Sequence, residues 1–186
     1  MIKKILILLI IFILNTTNLF ASTKEKIILN FQKIQNISFK FKQTIGEKTE
    51  EGDCIIQYPK KIYCIYNNFK KKIIISNGKT LVIKNQHNNQ YYRYSLKKTP
   101  LNFILNKDLI IEKMLDLKGQ LIDDKYYNFS IKINDNKINI FFDKKSYDLI
   151  GWQTEDIYQN LVITFIYNIE KNKKIDKKLF KLPKLN

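Results

Sequence analysis

The chain has 186 residues, with 33 Lys plus Arg against 17 Asp plus Glu for a formal net charge of +16, two cysteines and one histidine. A single histidine with two cysteines ten positions apart excludes an ordinary zinc site. The absence of a Gly-x-Ser-x-Gly elbow or a glycine-rich phosphate loop removes the familiar hydrolase and nucleotide-binding patterns.

So basic a chain suits nucleic acid or an anionic membrane surface. Yet only Arg93 is arginine, and Lys, Ile, Asn, Tyr and Phe are all abundant, as an AT-rich genome imposes on any protein. Compositional drift therefore explains the charge better than a dedicated basic patch, although the charge would still favour approach to anionic lipid.

The N-terminus reads as an export leader. Lys3 and Lys4 precede an unbroken apolar run from Ile5 to Leu14, a polar break at Asn15 to Asn18, and Leu19-Phe20-Ala21 with a small residue at the cleavage position. About ten apolar residues are too few to cross a hydrocarbon core of roughly 30 Å, so cleavage after residue 21 is expected rather than a retained anchor. No cysteine follows the cut, so nothing marks the chain for lipidation. Residues 22–186 are expected to form one domain outside the cytoplasm, which argues against a nucleic-acid partner; losing Lys3 and Lys4 lowers the charge from +16 to +14.

Ser22 with Glu25 three residues on is a capping box, and Ile27, Ile28, Phe31 and Ile34 follow at helical spacing to about Gln35. The period then drops to two: Ile37, Phe39 and Phe41 alternate with Ser38, Lys40 and Lys42, a half-buried strand. A polar turn is predicted over Gly46 to Gly52, and strands over Cys54–Tyr58, Ile62–Tyr66, Lys72–Ser76, Thr80–Lys84 and Gln90–Ser95. Asn67-Asn68, Asn77-Gly78 and Gln86 to Asn89 connect them, Asn-Gly being a strong hairpin signal. Lys97 to Pro100 breaks the series. Leu101, Ile104 and Leu105 share one side of a short helix, and Leu109, Ile110, Met114 and Leu117 fit a second. Strands resume near Leu121 and over Tyr127–Ile133, Lys137–Phe142, Tyr147–Glu155 and Leu161–Ile169, with turns at Asn134 to Asn136 and Asp143 to Ser146. The sum is a mainly β, α+β domain built on antiparallel sheet.

Cys54 and Cys64 flank Pro59 symmetrically, as partners across a hairpin would. A cross-strand disulfide and two buried apolar thiols both fit. No catalytic residue stands out: His87 lies in a polar turn, and Asp123-Asp124 reads as a solvated loop. So long a series of strands must curl and bury one face, either packing it solid or leaving a cavity under the helices. Periodicity does not choose between these.

From about Ile34 to Pro183 the order of short motifs resembles the periplasmic outer-membrane lipoprotein carrier family, LolA. The pieces are Phe41-Lys42-Gln43, Gly52-Asp53 followed by Ile55-Ile56, the proline and aromatic stretch Pro59 to Tyr66, Ser76-Asn77-Gly78-Lys79, and Thr99-Pro100-Leu101. Leu149-x-Gly151-Trp152 with Asp156, Asn168, Ile175-Asp176 and Leu179-Phe180 is similar to the alphaproteobacterial branch. The resemblance implies a single curved sheet forming an unclosed half-barrel, its apolar concave face covered by short helices. It implies no enzyme and no cofactor, but a monomeric periplasmic carrier. Its partners would be acylated lipoproteins, an inner-membrane ABC-type release complex and an outer-membrane receptor. A lipid-sensing periplasmic regulator, or another lipid-binding protein on the same fold, is the alternative. Carried across by position, the cavity would be lined by Phe39, Phe41, Ile56 and Ile62, and the lid would use Leu101, Ile104 and Leu105. The family commonly places a lid-latching arginine before the proline; here that position is Tyr58, whose phenol can donate one hydrogen bond but lacks charge and fork geometry.

Overall fold

The computed structural model describes residues 21–67, 71–88, 90–133, 136–156 and 159–183. The expected leader, Ala21 apart, and the turn residues Asn68, Asn89, Asn134 and Asp135 lie outside that set.

Helix α1 (Thr23–Gln32) starts at a complete capping box: Glu25 N–H donates to Ser22 Oγ at 3.2 Å, and Ser22 N–H donates to Glu25 Oε2 at 2.6 Å. Two orphan donors at the helix start are thereby satisfied. The chain then enters a meander of strands: β1 (Asn36–Ile45), β2 (Lys48–Gln57), β3 (Lys61–Tyr66), β4 (Lys72–Asn77), β5 (Thr80–Asn85) and β6 (Tyr91–Ser95). A 3-10 turn (Leu96–Lys98), α2 (Leu101–Ile104) and α3 (Lys107–Leu115) interrupt it. Five strands complete the set: β7 (Gln120–Ile122), β8 (Tyr126–Ile133), β9 (Asn136–Asp143), β10 (Leu149–Glu155) and β11 (Leu161–Lys171).

All eleven strands join one antiparallel sheet in the order β6-β5-β4-β3-β2-β1-β11-β10-β9-β8-β7. The first and last long strands pair at its centre, so the two meanders become two wings. β6 and β7 end the order as edges, and the sheet does not close. One expected loop is smaller than its polarity suggests. Lys48 to Gly52 is strand rather than turn, pairing with Ile45 to Phe41 and leaving Gly46 and Glu47 at the bend. Polar residues tolerate the ladder there because their backbone groups are paired, whatever their side chains prefer.

Alternation in β1 sends Ile37, Phe39 and Phe41 to the concave face and leaves Lys40 and Lys42 exposed. On one part of that face α1 and α3 fill the hollow: Ile27, Phe31, Ile110 and Met114 join Phe129, Ile140 and Phe142 in the core. Phe31 sets its ring edge-on to Phe142 at 5.4 Å. The convex side is covered in part by the C-terminal 3-10 turn, Lys177–Phe180, which lies against β3 and β4. Phe180 is buried there, as are Ile73, Ile75 and Val82, whose strand positions point away from the concave face.

Candidate functional site: an apolar cavity under a helical lid

The hairpin centred on Pro59 sets up the site. Gln57 pairs with Lys61, Ile56 with Ile62 and Cys54 with Cys64, so these positions share register two by two. Cys54 and Cys64 are joined by a disulfide across the hairpin. Of the two readings open from the sequence, the structure adopts the bridge. The Tyr58–Pro59 peptide is cis.

Gly52 has a steric purpose. A Cβ there would lie 2.1 Å from the Ile65 carbonyl oxygen and 2.8 Å from the Phe41 ring. With hydrogen instead, the ring of Phe41 stays over the backbone and meets Tyr66 edge-on at 4.8 Å. Phe39 makes a similar contact with Trp152, with centroids 6.2 Å apart.

Between this floor and the lid residues Pro100, Leu101 and Ile104 lies a cavity of about 350 Å³. Phe39, Phe41 and Ile62 border it, with the Cys54–Cys64 bridge, Ile74, Leu81, Ile83 and Trp152. Ile56 and Leu105 do not. Both are fully buried at 0 % exposure within the packed core, so they support the walls rather than line them. The same parity that selects Ile62 selects Cys64 and Tyr66, two lining residues that sequence reasoning passed over. Trp152, Ile74 and Ile83 come from strands whose relation to β1 only the sheet order supplies.

The lid is tied down by its far end. Lys60 N–H donates to the Leu105 carbonyl at 2.8 Å. Ser76 Oγ donates to the Lys60 carbonyl at 3.0 Å and accepts from Gly78 N–H at 3.1 Å, linking the Asn77-Gly78 hairpin to the same strap. Lys107, at the start of α3, donates to the carbonyls of Gln32 and Ile34 at 2.8 and 2.6 Å. These lie at and just beyond the end of α1, where partial negative charge accumulates and a cation is favoured. Burial pulls the Lys107 ammonium below its ordinary pKa, with Asp108 acting the other way.

Tyr58 makes no lid hydrogen bond. Its hydroxyl is buried without a hydrogen-bond partner among the described residues, and burial raises its pKa well above the ordinary phenol value. The ring packs edge-on against Phe31 at 5.9 Å, and the Lys107 ammonium sits 5.7 Å from its centroid. The charge near this corner thus comes from the lid side, through Lys107, rather than from the residue before the proline.

One end of the cavity is polar. Gln43 Nε2 donates to Thr164 Oγ1 at 2.9 Å, and Tyr66 Oη donates to Gln43 Oε1 at 3.3 Å. Lys72 reaches Glu50 Oε2 at 2.5 Å and stands 3.8 Å from the Tyr66 ring centroid. Burial raises the Tyr66 phenol above its ordinary pKa, and Glu50 adds to the rise. No group of three or more His, Cys, Asp or Glu among the described residues could hold a metal.

A curved, unclosed antiparallel sheet around an apolar cavity, with short helices across it, defines a class of open half-barrel binding proteins. The chain belongs to the outer membrane lipoprotein carrier protein family LolA, whose model matches residues 32–183. That is a periplasmic family of binding and carrier proteins rather than of enzymes. Solved structures share the fold at low identity. An uncharacterized conserved protein from Thermus thermophilus superposes with a TM-score of 0.52 at 8% identity, covering 86% of this chain and 94% of its own. MucB gives 0.50 at 9% identity over 88% of this chain, which spans 64% of MucB. A LolA superfamily protein from Nitrosomonas europaea gives 0.46 at 10% identity, with coverage of 87% and 99%. No curated protein matches the chain in sequence. No helix among the described residues is long and apolar enough to cross a membrane.

Proposed function

We propose that the protein carries acylated lipoproteins across the periplasm, taking them from an inner-membrane ABC-type release complex and giving them to an outer-membrane receptor. Residues 1–21 act as a cleaved leader, and 22–186 work as one monomeric domain without a cofactor. The observation that carries this reading is the apolar cavity between the Phe39–Phe41 floor and the Leu101–Ile104 lid.

Each buried methylene is worth roughly 0.8 kcal/mol, so an acyl chain leaves a membrane usefully only if comparable apolar surface receives it. A cavity of about 350 Å³ lined chiefly by apolar side chains offers such a surface. A cargo too large for it must displace α2, exchanging Leu101 and Ile104 for lipid on the cavity floor. Because apolar contact replaces apolar contact, loaded and empty forms differ little in free energy, and the cargo can leave again.

Mass spectrometry of material co-purifying with the mature protein from its own periplasm tests the proposal. Acylated lipoproteins in near-stoichiometric amounts are the expected result. Protein free of them that also fails to extract lipoproteins from membranes bearing the release complex removes the carrier reading. Phospholipid alone, with no lipoprotein, would favour a lipid-sensing regulator on the same fold.

A further inference from the structure

We propose that the Gln43–Thr164 pair at the polar end of the cavity recognises the neutral ester or amide carbonyls where acyl chains join their carrier molecule. This rests on the reading of the cavity as an acyl-chain site and adds where, and how, the polar end of the ligand is held.

Thr164 is 2 % exposed and Tyr66 is 5 % exposed, although both border an apolar cavity. Burying such groups is costly unless they find hydrogen bonds, and their own bonds satisfy them only in part. Tyr66 Oη gives its proton to Gln43 Oε1, and Gln43 Nε2 gives one of its two protons to Thr164 Oγ1. Among the described residues, the second Gln43 amide proton and the Thr164 hydroxyl proton have no acceptor. Two donor protons therefore remain at one end of an apolar chamber, the amide proton fixed in direction and the hydroxyl proton free to turn toward an acceptor. A ligand fitting this arrangement is apolar along its length and carries hydrogen-bond acceptors at one end.

Charge narrows the class. Lys72, Lys98, Glu155 and Asp156 all border the cavity, and Lys72 is bonded to Glu50. Among the described residues cations and carboxylates are thus mixed there, which does not favour a free fatty carboxylate over a neutral group. A neutral carbonyl oxygen accepts from an amide or hydroxyl proton without needing a countercharge. The strand register explains the position: Gln43 pairs with Thr164 across β1 and β11, the seam between the two wings. Chains lying over Phe41 and Phe39 would leave their carbonyl end beside this pair.

The test compares two synthetic glycerolipids of identical chain length and headgroup, one with ester and one with ether linkages, as competitors for a fluorescent apolar probe bound to the mature protein. The wild type should prefer the ester lipid by about tenfold, the sum of two modest hydrogen bonds. In Gln43→Leu and Thr164→Val variants that ratio should fall toward one, with the double variant showing no preference. Reading a ratio separates recognition from any general loss of affinity, and Thr164→Ser, which keeps the hydroxyl, should restore the preference. Equal binding of the two lipids by wild type overturns the inference and leaves the acyl-chain cavity standing. A ratio unchanged in both single variants also overturns it. Failure of both lipids to displace the probe overturns the cavity reading, and this inference with it.

Discussion

At the residue scale the informative position is Tyr58, because its environment reverses what its chemistry suggests. A phenol before the proline offers one hydrogen bond to the lid, yet the hydroxyl is buried with no partner among the described residues. Removing a buried, unsatisfied group takes away a desolvation cost rather than a bond. Tyr58→Phe should therefore unfold at the same or slightly higher denaturant concentration, by up to about 1 kcal/mol, with ligand affinity unchanged. A clear loss of stability or of lid closure would show that the hydroxyl holds the lid after all. Lys107→Met should act in the opposite direction. It removes the bonds to the Gln32 and Ile34 carbonyls and should weaken closure by about 1 kcal/mol, read as faster hydrogen exchange across Leu101–Leu115. Unaltered exchange there would assign the lid's hold to the Lys60 strap alone.

At the scale of elements the β1–β2–β3 unit decides the floor of the cavity. Gly52→Ala places a methyl group against the Ile65 carbonyl oxygen, which is backbone and cannot swing aside. The expected cost is about 1–3 kcal/mol, and the Phe41 ring must move into the cavity. A variant with unchanged unfolding midpoint and probe binding would contradict that packing. The bridge between Cys54 and Cys64 closes a short loop within the same unit. Replacing both cysteines by serine should lower stability by roughly 2–4 kcal/mol in non-reducing buffer, and dithiothreitol should no longer affect the variant. These elements were readable from the sequence because each carries its own period: Ser22 with Glu25 marks the helix start, and the Phe39–Phe41 alternation marks the strand. Lys48 to Gly52 was not readable as strand. Its side chains are those of a turn, and only the pairing of its backbone with β1 outweighs them.

At the scale of the molecule, the +14 charge that remains once Lys3 and Lys4 leave with the leader acts through long-range fields rather than through any one pocket. Weak binding to vesicles rich in anionic lipid is expected. It should vanish as salt approaches 1 M, where the Debye length is about 3 Å. Binding that persists there would point to apolar insertion, and the exposed Tyr167 and Phe165 on β11 would then be the first residues to replace.

The sequence by itself determined the local matters: the capped first helix, the two-residue alternation of the strands, the Asn77-Gly78 turn and the family to which the order of motifs belongs. Those follow from interactions within a few residues, and they survive in any context. Which strand lies beside which, and hence which side chains share a cavity, depended on β1 pairing with β11 across more than a hundred residues of chain. That pairing brings Trp152 to Phe39 and Thr164 to Gln43. Ile62 borders open space, whereas Ile56, its partner in register, is sealed in the core. Parity assigns a face, but helices laid over that face decide where it is filled and where it stays hollow. That decision is made by packing between distant segments, which no local pattern encodes.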